Sequence, residues 1–117
     1  CTNSQEPVIN SALNSGSTCI SIGSFAPNRL EVSVSALSKA DKVFGDDAKT
    51  ISEQSGSVVK TLENSERTWQ QAQSIGGVYA GEIKGRENKE QVIYYFSVGL
   101  GIQDAALAEF ILTNGKF

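Results

Sequence analysis

Alternating hydrophobic and polar residues predict three strands along the chain. Residues 18–22 are β-branched and alternate, residues 42–45 form a short apolar run, and residues 91–96 carry the strongest strand pattern. A loop of glycine, proline and polar residues follows the first strand at 23–28. Because ligands of open α/β sheets bind where strands end, this loop is a candidate ligand site.

A hydrophobic period of three to four residues predicts the helices between these strands. Leu30, Val34 and Leu37 favour a helix over 31–39, although the alternation at 31–35 also fits a strand. The apolar residues 58–62 fit either a helix or a strand. Three more helices are predicted. The first begins at a cap at Asp46-Asp47 and runs to Ser55, before Gly56. The others run over 66–74 around Trp69 and over 101–112, and they end at Gly76-Gly77 and at Gly115. Strands that alternate with helices predict an α/β fold with a mainly parallel sheet.

Composition narrows the classes of partner. The 117 residues are about one small domain, with 39% hydrophobic and 20% charged residues. The 10 Lys and Arg and 13 Asp and Glu are scattered, whereas nucleic-acid binding needs clustered cations. No apolar run approaches the roughly 18 residues of a membrane span. The chain has no histidine. This excludes the common zinc sites and any catalytic dyad in which a histidine activates the nucleophile. We therefore expect no nucleic-acid, membrane or metal partner.

The first residue, Cys1, leaves two interpretations open. It is either the lipidated end of a processed bacterial lipoprotein with a polar tether at 2–5, or a residue inside a longer chain, which we favour. Pairing of Cys1 with Cys19 is also open. Two cysteines in 117 residues are nevertheless ordinary for a protein of the reducing cytosol.

The motifs that suggest chemistry each have a plainer structural explanation. Gly99-Leu100-Gly101 follows a strand and opens a helix, like the start of the dinucleotide fingerprint G-x-G-x-x-G. The third glycine position holds Asp104, however, and two glycines in a tight turn explain the pattern as well. Ser97 either caps this helix or touches a ligand. We expect Trp69 in the core or an interface, and the charged residues of 82–90 in a solvated loop.

Three local patterns occur in a fixed order along the chain. They are Thr2-Asn3-Ser4-x-x-Pro7-Val8, then Ile22-Gly23-Ser24-x-x-Pro27-x-x-x-Glu31, then Gly81-x-x-x-Gly85-Arg86 followed by Ser97-Val98-Gly99-Leu100-Gly101-Ile102-Gln103-Asp104. Together they resemble the C-terminal part of the ornithine cyclodeaminase/mu-crystallin family. That family includes NAD(P)-dependent ornithine cyclodeaminases, ketimine and pyrroline-2-carboxylate reductases, and some alanine dehydrogenases. The resemblance covers residues 1–112, and 38–75 match loosely.

The resemblance implies a partial Rossmann-like fold. Residues 1–96 would be the second half of an NAD(P)-binding domain, and residues 97–117 a helix returning toward a dimerisation or substrate domain outside this chain. The glycine fingerprint would lie upstream of Cys1. We therefore expect a cytoplasmic protein that uses NAD or NADP, and no activity from the 117 residues alone.

A partial sheet of this kind also implies uncovered apolar surface. The helix stripe that includes Leu107, Ile111 and Leu112 would lack the domain it packs on, and the strand at 94–96 would be partly uncovered. Because unpaired strand edges and apolar patches drive self-association, we expect a homo-oligomer.

The resemblance assigns site residues as well. Residues 22–24 match the family loop that lies along the nicotinamide, and Ser97 matches a serine near its carboxamide end. Arg29 stands where cyclodeaminases have a cofactor-contacting lysine, and Phe96 departs from the usual Lys or Asp. Phe25 occupies the position of the catalytic Asp of true ornithine cyclodeaminases. The predicted cofactor-binding residues are Thr2, Ile22, Gly23, Ser24, Arg29, Ser97 and Val98.

The function implied by the resemblance is hydride transfer between NAD(P)H and the C=N bond of a small cyclic or open imine, or oxidation of the corresponding amino acid. Phenylalanine at position 25 moves no proton, which favours this reductase over an ornithine cyclodeaminase, its rival within the family. Two non-enzymatic functions stay open beside them, namely a non-catalytic, crystallin-like ligand-binding protein and a periplasmic lipoprotein domain.

Overall fold

The centre of the molecule is a four-stranded parallel sheet, seen in a computed structural model that describes residues 2–115. The strands are β1 (Thr18–Ser21), β2 (Lys42–Gly45), β3 (Gln73–Ser74) and β4 (Ile93–Phe96). Their spatial order is β1-β4-β2-β3, and every pair is parallel. The predicted α/β class with a mainly parallel sheet is therefore confirmed.

The register of the sheet aligns the carboxyl ends of three strands. Ser21 of β1 pairs with Phe96 of β4, which pairs on its other side with Gly45 of β2. The row continues one residue further, because Ser97 N donates to Ser21 O (3.0 Å) and Asp46 N donates to Phe96 O (3.3 Å). The loops after β1, β2 and β4 therefore begin side by side at one edge.

The described residues form five helices, of which the first four lie between strands and the fifth follows β4. They are α1 (Val34–Leu37), α2 (Ala48–Gln54), α3 (Gly56–Leu62), α4 (Ile75–Tyr79) and α5 (Gly101–Asn114). Polar caps begin the first two, since Ser33 Oγ accepts from Ala36 N and the Asp47 carboxylate accepts from Thr50 N at 2.7 Å. Asp47 is thus the helix cap that was predicted at Asp46-Asp47, and Asp46 has another role.

The hydrophobic core lies on one face of the sheet. Tyr94 and Phe96 of β4 point into it with Val43 of β2, and all three are at most 1% exposed. Burying a large apolar side chain stabilises a fold by about 1.5–3 kcal/mol. The core cluster is Val32, Ala36, Leu37, Ala40, Val43, Ile51, Val58, Trp69, Ala72, Tyr94 and Phe96.

The predicted helix over 31–39 is wrong at both ends. Only α1 is helical, and Val32 is extended in a parallel bridge with Ile9. Tertiary hydrogen bonds keep this stretch from forming a helix, because Val8 N and Ile9 N both donate to the Glu31 carbonyl. The alternation at 31–35 was therefore the better signal only for residues before α1, which begins at Val34.

Three further helix predictions were also wrong. Gly56 does not stop a helix but begins α3, after an extended Ser55. Residues 66–72 are not helical, and the segment ends in β3 instead. Trp69 anchors it, since its Nε1 donates to Leu37 O at 2.8 Å, so the predicted core position of Trp69 is confirmed. Gly76 and Gly77 lie inside α4 rather than ending a helix.

Helix α5 lies apart from the core. All 14 of its residues are exposed, including Leu107, Ile111 and Leu112, so the prediction of an uncovered apolar stripe is confirmed here. The companion prediction, that the strand 94–96 is uncovered too, is wrong for Tyr94 and Phe96, which the core buries. In the described part of the chain, no helix is long and apolar enough to cross a membrane.

Candidate ligand site at the carboxyl edge of the sheet

Glu31 organises the loop after β1. It is 5% exposed, and its Oε2 accepts from Ser21 Oγ (2.6 Å) and Gly23 N (2.7 Å) while its Oε1 accepts from Thr2 N. Burial raises the pKa of this carboxyl, but the hydrogen bonds from Ser21, Gly23 and Thr2 outweigh burial and lower the pKa to about 2. An ionised Glu31 therefore ties the N-terminal segment to the end of β1.

A hydrogen bond between two buried serines, Ser24 and Ser57, also holds this loop. Ser24 is 1% exposed, and its Oγ accepts from Glu31 N (3.0 Å) and lies 3.1 Å from Ser57 Oγ of α3. Ser57 Oγ in turn accepts from Val32 N. The Ser24 hydroxyl is committed to this network, so a ligand at the edge would meet only the backbone of Ser24.

Gly23 has a packing reason to be glycine. A Cβ at this position would overlap the Thr2 carbonyl and the Glu31 carboxylate. The space left by Gly23 is thus filled by the protein itself, which brings Thr2 against the loop. A pocket of about 90 Å³ remains nearby, lined by residues that include Thr2, Ser21 and Glu31. It is too small for a dinucleotide, since pockets for drug-sized ligands hold about 300–1,000 Å³.

Three more of the predicted site residues differ in whether their side chains are free to contact a ligand. Ile22 and Phe25 expose about half of their side chains, at 52% and 47%, and are free to contact a flat ring. Arg29 instead turns toward the N-terminal segment, where its Nη1 donates to Asn3 O at 2.9 Å.

Asp46 fixes the loop after β4. Its Oδ2 accepts from Ser97 Oγ (2.9 Å) and from the amides of Val98 and Gly99 (both 3.1 Å). Gly99 has a φ of 82°, which explains glycine at this turn. Ser97 is not the cap of α5, because the N-cap is Leu100 with no side-chain hydrogen bond.

The structure therefore brings most of the predicted residues to one edge. Thr2, Gly23 and Ser24 meet around Glu31, and Ile22 and Ser97 follow paired residues of neighbouring strands. Sequence reasoning missed Glu31 and Asp46 as organisers. Glu31 was noted only as a residue of the second sequence pattern, and Asp46 only as a candidate helix cap, so the hydrogen bonds that each of them accepts were not predicted.

A parallel sheet with flanking helices and with loops aligned at its carboxyl edge defines a Rossmann-like α/β domain. The chain belongs to the ornithine cyclodeaminase/mu-crystallin family, whose model matches residues 1–116. This confirms the family inferred from the three sequence patterns.

Individual relatives agree with this assignment. A Δ1-pyrroline-2-carboxylate reductase of Bacillus cereus is 30% identical over 111 residues, which are 94% of this chain and 34% of that protein. The structure of Thermococcus litoralis Δ1-pyrroline-2-carboxylate reductase with NADH and L-proline superposes with a TM-score of 0.82 at 25% identity, covering 97% of this chain and 37% of that one. An archaeal alanine dehydrogenase dimer with bound NAD gives 0.79 at 32% identity, covering 97% and 35%. The chain thus spans about a third of the length of these relatives.

Proposed function

We propose that the chain is part of an NAD(P)-dependent oxidoreductase that reduces the C=N bond of a small, amino-acid-derived imine or oxidises the matching amino acid. The observation that carries this proposal is family membership together with Phe25 at the loop after β1, where proton chemistry would need an ionisable side chain. The reductase and dehydrogenase among the relatives support the same reaction class.

We also propose that residues 1–96 form the second half of the cofactor domain and residues 97–117 the helix that leads toward a further domain. The sheet supports this division, because among residues 2–115 β1 pairs with β4 alone and keeps a free edge. The exposed α5 supports it as well, since a helix with apolar residues on its surface needs a partner.

The carboxyl edge fits the nicotinamide end of the cofactor. NADH, when bound, supplies the hydride. Backbone atoms of 22–24 would lie along the ring with the exposed Ile22 and Phe25 beside it, while Ser97 and Val98 would meet the ring substituent. Within residues 2–115 the pyrophosphate has no complete glycine fingerprint, so that contact would come from elsewhere in the protein. Thr2 and Arg29 would act by fixing the N-terminal segment.

The first prediction tests Phe25 in the full-length product of the reading frame. Because this side chain is given only a packing role, Phe25→Asp should keep imine reduction within about tenfold of the wild type, as expected for a lost apolar contact of about 1–1.4 kcal/mol. Phe25→Leu is the matched control. The assay follows NADH and NADPH oxidation with Δ1-pyrroline-2-carboxylate.

A parallel assay follows ammonia release from ornithine with NAD. Release of ammonia by the wild type without imine reduction would identify a cyclodeaminase and overturn the proposal. Binding of the nucleotide with neither activity would indicate a ligand-binding protein instead.

A further inference from the structure

The face of the sheet opposite the core carries an apolar groove of about 340 Å³. Because side chains alternate along a strand, Tyr95 points away from the core that holds Tyr94 and Phe96. In the register of the sheet Tyr95 lies between Ile20 of β1 and Phe44 of β2, and these three side chains form the floor of the groove. Residues of helix α4 line it as well. This space, the open-face groove, lies in the size range of small-molecule sites.

Arg86 lines the open-face groove at the end where the strands begin, beside Thr18. Its guanidinium donates to three neutral oxygens, namely Thr18 Oγ1 (2.7 Å), Ser17 O (3.2 Å) and Gln91 O. A guanidinium group has five N–H donors. Within the described chain, Arg86 therefore keeps two N–H donors for a ligand, and the residue is exposed.

The charge of Arg86 has no carboxylate partner among residues 2–115. Its neighbour Glu87 pairs with Lys42 at 2.6 Å and lies 3.8 Å from Lys84 Nζ. A cation that is bonded only to neutral groups favours an anionic ligand, and the planar guanidinium matches the two oxygens of a carboxylate. The open-face groove therefore combines an apolar floor with an anion-binding group at one end.

We propose that the open-face groove binds a small amphipathic carboxylate, whose charged group contacts Arg86 and whose hydrocarbon body lies over the apolar floor. The row of Ile20, Tyr95 and Phe44 lies two residues beyond the row of Thr18, which is about 7 Å along a strand. A hydrocarbon body of medium length covers this distance. The residues that line the groove are all different from the predicted cofactor-binding residues, so this site is separate from the one proposed for NAD(P).

The test is calorimetric titration of the full-length product with octanoate and with 1-octanol, which has the same hydrocarbon chain and no charge. Arg86→Gln should weaken octanoate binding about tenfold, as expected for a lost hydrogen bond between charged groups, and leave octanol binding unchanged. Lys89→Gln removes the same charge from an exposed position of the same loop and should change neither affinity. Ile20→Asn should weaken both ligands, whereas Ile102→Asn, at an exposed position of α5, should weaken neither.

Equal weakening of octanoate and octanol by Arg86→Gln would mean that Arg86 only supports the strand ends, and this would overturn the inference. Octanoate binding that neither Arg86→Gln nor Ile20→Asn changes would lie at another site and would overturn it too. So would absence of octanoate binding, because the groove would then be covered by another part of the protein or by a second copy. Imine reduction, measured on the same preparations, tests the proposed function separately. If Arg86→Gln does not fold, the contrast between Ile20→Asn and Ile102→Asn decides.

Discussion

The buried carboxylate of Glu31 links the N-terminal segment to the end of β1 and the loop that follows it. It binds the amide of Thr2, the hydroxyl of Ser21 and the amide of Gly23. An ion buried among donors is stable only while those donors stay in place, so the charge of Glu31 and the shape of the loop depend on each other.

The stability contributed by Glu31 should depend on pH. Its pKa of about 2 in the folded state lies below the ordinary 4.5, so the unfolded chain binds the proton more readily. The contribution is complete above about pH 4.5 and is lost as the pH falls through 2. We expect Glu31→Gln to destabilise the chain by about 3 kcal/mol at pH 7, and by roughly half of that at pH 3. Urea denaturation at both pH values measures this difference.

The matched control for this experiment is Glu63→Gln, because Glu63 is exposed at the end of α3. It should change the free energy of unfolding by less than about 0.5 kcal/mol at either pH. A loss in Glu31→Gln that is the same at pH 7 and pH 3 would mean that the carboxyl is not ionised with a lowered pKa in the folded chain.

At the residue scale, the sequence predicted which loops carry the candidate site but not what holds them. Gly23 and Ser97 directly follow the predicted strands at 18–22 and 91–96, and that position can be recognised from alternation alone. Glu31 and Asp46 act through partners up to 53 residues away. Such pairing depends on the register of the sheet, which the sequence pattern of either residue does not contain.

At the scale of elements, the start of α3 packs tightly against the loop after β1. A Cβ on Gly56 would lie 2.7 Å from Pro27 O and 2.9 Å from Ala26 O, and still closer to Arg29 O. All three atoms belong to backbone, which moves at a higher cost than a flexible side chain. The close contact explains why the chain turns from α2 into α3 at a glycine.

We therefore expect Gly56→Ala to destabilise the chain by about 1–3 kcal/mol, the usual range for an overpacked position. Gly76→Ala is the matched control, because Gly76 lies in α4 with open space around its Cα. Alanine favours helices over glycine, so this control should be neutral or more stable by up to about 1 kcal/mol. Thermal unfolding followed by circular dichroism compares the two. Equal effects of both substitutions would contradict the contact.

Elements with a strong local pattern were predictable, and those shaped by distant contacts were not. β2, the strand ending at Phe96 and α5 follow from periodicity and from their glycine boundaries. The stretch around Trp69 has a helical period, but its indole hydrogen bond to Leu37 O and the hydrogen bond from Thr68 N to Ser38 O hold it in a non-helical conformation. Tertiary hydrogen bonds there outweigh a weak local preference.

At the scale of the whole molecule, one side of the sheet is only partly covered within the described chain, and helix α5 is exposed along its whole length. The open face carries a groove of about 340 Å³ whose lining includes Ile20, Phe44 and Tyr95. Ile20 is 64% exposed. Helix α5 adds Leu107 and Phe110 on a second exposed surface. Apolar surfaces of this kind are typical of interfaces, and they cause self-association when nothing covers them.

The last prediction is that the 117-residue chain self-associates through α5. Exposed leucine and isoleucine side chains gain about 25 cal/mol for each Å² removed from water, so pairing of α5 helices is favourable at high concentration. Sedimentation velocity should show species larger than a monomer that increase with concentration. Leu107→Lys with Ile111→Lys should return the chain to a monomer, because lysine amines resist burial. Gln103→Lys with Thr113→Lys adds the same charge at polar positions of α5 and should leave association unchanged. A wild-type chain that stays monomeric at all concentrations would show that α5 is compatible with water as it stands.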